Sequence, residues 1–155
     1  MFSPYSHEKF GSDLFNHSNY RNIKNTPKSW YNCGGYALKT FSWYLPSDDV
    51  ESWGGFIDEE DYEEATAAAV KVMLRDFPTL RVVQNENEVM KDEYCIAFRI
   101  SYDGDFHYVR KAKNGVWYHK LGGCQWIDTF QAEQIYSECW FGRYDGPLVL
   151  FAKKI

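Results

Sequence analysis

The hydrophobic pattern of the chain changes period once. From Gly34 to Leu45, the apolar residues Ala37, Leu38, Phe41 and Leu45 recur at helical spacing, and Pro46 ends the run. The stretch 47–57, with Asp48, Asp49, Gly54 and Gly55, reads as a loop. A second helix is predicted over Glu59–Asp76. It is acidic at its start, Ala-rich in its middle and carries Lys71 and Arg75 near its end, an order that suits the helix dipole; Pro78 stops it. Beyond it the period falls to two. Leu80–Gln84 is a short strand candidate. Tyr94, Ile96, Phe98 and Ile100 alternate with Cys95, Ala97, Arg99 and Ser101, the pattern of a half-buried strand.

Asp103-Gly104-Asp105 then predicts a turn, Phe106–Ala112 a strand and Val116–Lys120 the returning arm of a hairpin. Phe130–Glu138 suits a short helix, and Pro147–Lys153 a last strand. The first 29 residues, with Pro4 and Pro27, read as an irregular segment wrapping the domain, with one helical turn near Glu8–Phe15. Helices followed by an antiparallel meander make the expected class α+β, and the lack of repeats or linkers makes residues 1–155 one domain.

Composition narrows the function classes. Aromatic residues make up 19% of the chain, which suggests a dense aromatic core or an aromatic-lined groove. The net charge of -5 argues against a nucleic-acid partner. No apolar run is long enough to span a bilayer, and the N-terminus lacks the basic-then-apolar order of a secretion signal, so a cytoplasmic protein with no membrane partner is expected. The four cysteines, Cys33, Cys95, Cys124 and Cys139, show no C-x-x-C spacing, and no disulfide framework is expected.

The chemistry concentrates in Trp30-Tyr31-Asn32-Cys33-Gly34-Gly35-Tyr36-Ala37-Leu38. A cysteine at the first turn of a helix meets N–H groups that lack intrahelical partners, which favour a thiolate and can receive an oxyanion. Its thiol is expected to fall below the free value of about 8.5. The small Gly34 and Gly35 let a substrate backbone approach. Two of the four histidines, His107 and His119, lie on the two arms of the hairpin, twelve positions apart. A two-residue Asn114-Gly115 loop would point them to opposite faces. A three-residue loop, Lys113-Asn114-Gly115, would put them on one face as diagonal neighbours, and Gly115 suits the left-handed position such a loop needs. We favour the second.

A thiol at a helix start, a histidine on a later strand and a polar residue on the next follow the logic of nucleophile, base and orienter. In that chain order the sequence resembles the papain-like cysteine peptidase superfamily, above all its compact bacterial and phage branch, the NlpC-like peptidases. Asn32-Cys33-Gly34-Gly35-Tyr36-Ala37-Leu38 is similar to the "N-C-x-x-Y-A-L" segment of small papain-like proteins. Asp105-Phe106-His107-Tyr108-Val109-Arg110 and Gly115-Val116-Trp117-Tyr118-His119-Lys120-Leu121-Gly122 match their "D-x-H-x-x-R" and "G-x-W-x-H-K-x-G" strands. The resemblance spans about residues 30–123. It implies a papain-like fold with the nucleophile helix packed on an antiparallel sheet. It also implies a Cys33, His107, His119 triad and hydrolysis of an amide or isopeptide bond in a peptide, peptidoglycan or protein, with no cofactor.

Asn-Cys-Gly stands here where many NlpC-like enzymes have Asp-Cys-Ser. No Gln precedes Cys33 for the oxyanion hole, so the nearest amides, Asn32 and Asn25, together with the Gly34 backbone, are the candidates there. Three other readings use the same residues: acyl or amide transfer by the same triad, a binding or effector module with little turnover, and a zinc site of Cys33, His107 and His119. The glycines beside Cys33 favour the nucleophile over the zinc site. His7 and His17 read as solvated, Cys95 and Cys124 as structural, Cys139 as core, and Trp53, Trp117 and Trp126 as core ahead of groove.

Overall fold

A computed structural model describes residues 28–48, 55–122 and 126–155. Among the described residues three α-helices, α1 (Cys33–Ala37), α2 (Tyr62–Asp76) and α3 (Ala132–Ile135), accompany six strands. The strands are β1 (Leu80–Val83), β2 (Glu93–Ile100), β3 (Phe106–Lys111), β4 (Trp117–Lys120), β5 (Ile127–Phe130) and β6 (Val149–Lys154). They form one antiparallel sheet in the order β1-β6-β2-β3-β4-β5, so the chain is α+β.

Both faces of this sheet are covered. Ile96, Phe98 and Ile100 of β2 join Phe106 and Tyr108 of β3 under Ala37 and Leu38 at α1 and Tyr62, Ala69 and Met73 of α2. With Thr66, the buried α2 residues recur at steps of four, three and four, which puts them on one stripe of that helix. The opposite face, with Cys95, Ala97, Val109 and Leu150, lies under Ile135, Trp140 and Tyr144 from the segment after β5. Every residue of β2 is therefore buried, where the alternating pattern predicts a half-buried strand. The outward positions are small or paired. Arg99 among them donates from its guanidinium to the carbonyls of Ser137, Glu138 and Gly146, which fastens the covering segment to the sheet.

Two expectations need correction. The first helix ends at Ala37, not Leu45. Asn32 caps it by accepting from the Gly35 N–H, and the same side chain both accepts from the Tyr44 N–H and donates to the Tyr44 carbonyl. The chain must double back to meet this clamp, and Lys39 and Phe41 turn it through left-handed φ values of 61° and 52°. Ile127–Phe130 is a strand that the sequence pattern did not predict, and only Ala132–Ile135 of the expected 130–138 stretch is helical. The hairpin follows the three-residue register: Lys111 pairs with Trp117, Ala112 and Val116 share a backbone hydrogen bond, and Gly115 has φ 86°.

Trp117 is core and Trp126 is exposed. Cys95 is buried, and Cys139 is half-buried. The readings made for residues 1–27, Trp53 and Cys124 lie outside the described residues. Among the described residues no helix is long and apolar enough to cross a membrane.

Candidate active site

α1 packs on β3 and β4, and this brings Cys33 to the start of β3. The thiol donates to the Phe106 carbonyl at 3.9 Å. On the far side of His107 the Tyr108 N–H pulls the thiol pKa down. The sulfur is thus bracketed by the backbone on either side of His107. Sheet geometry explains why the place is open. The bond from Ala112 N–H to the Val116 carbonyl shows that even-numbered β3 residues aim their backbone groups at β4. The two strands pair only over Arg110↔Tyr118 and Lys111↔Trp117. Below that the thiol takes the ladder position that β4 leaves vacant.

His107 is on the other face of β3, with Val109. Its Nε2 lies 2.9 Å from His119 Nδ1, the diagonal contact that the three-residue hairpin predicts. Aromatic rings enclose the pair. Trp140, Phe141 and Tyr144 surround His107, and Phe141 stacks on His119 at 5.5 Å and 17°. Phe141 reaches this place from a left-handed turn at φ 56°, followed by Gly142 at φ 64°. Arg143 then spans to Asp103 and Asp105, and the Tyr144 hydroxyl donates to Asp105. Cys33 and His107 both line a cleft of about 520 Å³ whose rim carries Trp43, Leu45, Leu121 and this Arg143–aspartate cluster.

Electrostatics runs against the expectation of a lowered thiol. Burial pushes Cys33 up to about 12, and the Asp105 charge adds to that. The N–H groups of Tyr108 and Gly34 and the Lys120 ammonium pull the other way without prevailing. A five-residue helix has a small dipole, and Asn32 already consumes the Gly35 N–H. His107 is held well below the usual imidazole range, first by burial and then by the charges of His119 and Arg143. Both partners are therefore neutral at rest near pH 7.

This sets a pH dependence. A histidine with a folded pKa below its unfolded value of about 6.5 binds fewer protons when folded, so stability is lost as pH falls below about 6.5. The slope expected from His107 is about 1.4 kcal/mol per pH unit. Urea midpoints between pH 7.5 and 5 should show it, and His107→Gln should flatten it; an equal slope in the variant would assign the effect elsewhere.

Of the remaining expected site residues, Asn32 lines the same cleft as Cys33 and His107. The Asn32 amide is engaged with Tyr44 and serves as cap and clamp. A Cβ on Gly34 would meet the rings of Tyr108 and Tyr44, so this glycine faces the core and not the cleft. Asn25 lies outside the described residues. Cys33, His107 and His119 do not form a ligand trio; among the described residues that geometry belongs to the exposed Asp58, Glu60 and Asp61.

Sequence reasoning missed Lys120, whose buried ammonium donates to the carbonyls of Tyr31 and Gly122 and so ties β4 to the turn before Cys33. A lysine directly after His119 was the available signal. It also missed Trp140–Tyr144, where a dense aromatic run ending in Gly142-Arg143 was the only local sign. Comparisons of the chain with protein-family models, curated proteins and solved structures gave no match.

Proposed function

We propose that this chain is a papain-like, NlpC-like thiol hydrolase that cleaves an amide or isopeptide bond. The observation that carries this reading is the His107 Nε2–His119 Nδ1 bond beside a thiol bracketed by the residues flanking His107. It supports one division of labour between the ring nitrogens. With Nε2 of His107 donating to His119 Nδ1, Nδ1 of His107 is left as the base. His119 is then a positioning residue.

In the reaction, Cys33 Sγ attacks the carbonyl carbon while its proton passes to His107 Nδ1, in one step because the resting pair is neutral. The Cys33 N–H, at the first position of α1 and without an intrahelical acceptor, is the oxyanion donor of this mechanism. His107 returns the proton to the leaving amine, the C–N bond breaks and a thioester remains. Water, deprotonated by the same nitrogen, adds to the thioester; the C–S bond breaks, the acid is released, and the proton returns from His107 to Sγ. Lys120, a buried cation near the sulfur, favours the states that carry negative charge there.

The test is a peptide-library cleavage screen combined with a peptidyl vinyl sulfone and intact-mass analysis. Cleavage with one adduct on Cys33, both lost in His107→Ala, is the expected result. An adduct on Cys95 or Cys139, or cleavage that persists in Cys33→Ala, would overturn the reading.

A further inference from the structure

A second cavity, of about 240 Å³, opens at the other end of β2 and β3, where their pairing stops at Ile96↔Arg110. It shares no lining residue with the thiol cleft. Its walls hold five cations, Lys39, Lys91, Arg110, Lys111 and Lys113, against two carboxylates. That excess is out of character for a chain with net charge -5. Both carboxylates are already engaged: Glu86 pairs with Lys111 and accepts from the Tyr136 hydroxyl, and Glu93 is held by both guanidinium donors of Arg81.

The deepest cation is Arg110, only 1% exposed, with its guanidinium 4.0 Å from the Tyr36 ring centre and one nitrogen donating to the Tyr36 carbonyl. A planar guanidinium held from behind in this way is rigid, and its delocalised charge suits carboxylate or phosphate oxygens. Lys39 stands over the Tyr94 ring at 4.2 Å, so an apolar wall of Tyr94, Val89 and Ala112 lies beside the cations. Lys91 and Lys113 are exposed at the mouth. A cationic back, an apolar wall and a cationic rim together match an anion on an apolar body.

We propose that this cavity is a binding site for a small amphipathic anion, a carboxylate or phosphate carried on an aromatic or aliphatic group. The anion sits toward Arg110 and the rim lysines, and the apolar body lies against Tyr94 and Val89. The site is separate from the thiol cleft and does not depend on the hydrolase reading.

The test is a titration of the full chain, at constant ionic strength set with sodium chloride, followed by backbone amide NMR. The probes are phenyl phosphate, benzoate and neutral benzyl alcohol. Saturable shifts confined to amides around Tyr94, Arg110 and Lys113, with a Kd below about 1 mM for at least one anion and none for the alcohol, are expected. The better-bound probe identifies the head group. The double variant Lys91→Gln/Lys113→Gln changes only exposed side chains and keeps the fold; it should bind at least tenfold more weakly, whereas Cys33→Ala should bind as the parent does. Unchanged affinity in the double variant, equal binding of benzyl alcohol, or shifts mapping to the Cys33 cleft would overturn the proposal.

Discussion

On the proposed mechanism, replacing Cys33 by Ala should lower kcat for any substrate found by about 10⁴-fold or more, and His107→Ala should do nearly the same, because a nucleophile and its base act as one unit. His119→Ala costs less, and its loss falls in kcat with little change in KM, since His119 touches His107 and not the cleft. The 2.9 Å bond between the rings predicts strong coupling: adding His119→Ala to His107→Ala costs little further. His119→Asn or His119→Gln keeps a hydrogen-bond acceptor and retains more activity than His119→Ala. Steady-state kinetics on the four single variants and the double variant decide this. Additive losses from His107→Ala and His119→Ala would remove His119 from the site, and Asp128, its neighbour across β5, would be the next candidate.

Gly35→Ala should unfold or severely destabilise the protein, whereas Gly34→Ala should be close to neutral. Alanine is favoured over glycine inside a helix by about 1 kcal/mol, so propensity alone predicts a gain at both positions. Packing reverses this at Gly35, where a Cβ would lie 1.9 Å from the Ser42 carbonyl oxygen and 3.1 Å from the Tyr31 Cβ. Backbone has to move there, and the cost is about 3 kcal/mol or more. At Gly34 the same atom would sit 3.0 Å from the edge of the Tyr108 ring, which can tilt by a few tenths of an ångström. Urea denaturation of both variants measures the difference; equal midpoints would show that the turn back to Asn32 is not held as tightly as the contact implies.

Gly35 also shows where sequence reading stops. The start of α1 was legible from the helical spacing that follows Cys33, but its end was not. Ala37, Leu38, Phe41 and Leu45 keep helical spacing, and nothing local reveals that Asn32 will also hold Tyr44 twelve residues later. The β3–β4 register was legible because one glycine in one turn decides it. β5 was not, because Ile127-Asp128-Thr129-Phe130 buries only its two ends and shows no alternation. The histidine pair followed from the hairpin, but the rings around it did not. Trp140, Phe141 and Tyr144 return to β3 from more than thirty residues away, fixed by Arg99 carbonyl contacts that no periodicity encodes. The thiol's ionisation was misjudged for a related reason: the helix start was visible, and its burial was not.

The short pairing between β3 and β4 also affects how the site opens. β4 is joined to β5 along all four of its residues but to β3 along only two. In mechanical terms the sheet carries a seam, and it runs between the two histidines. His107 belongs to the half laddered along β2, while His119 rides on the smaller flap of β4 and β5. Parting the seam breaks few backbone bonds, exposes the vacant ladder position that the thiol fills and separates His119 from His107. Because β4 and β5 also carry the buried Trp117, Ile127 and Phe130, the cost of that opening lies in apolar burial more than in backbone hydrogen bonds.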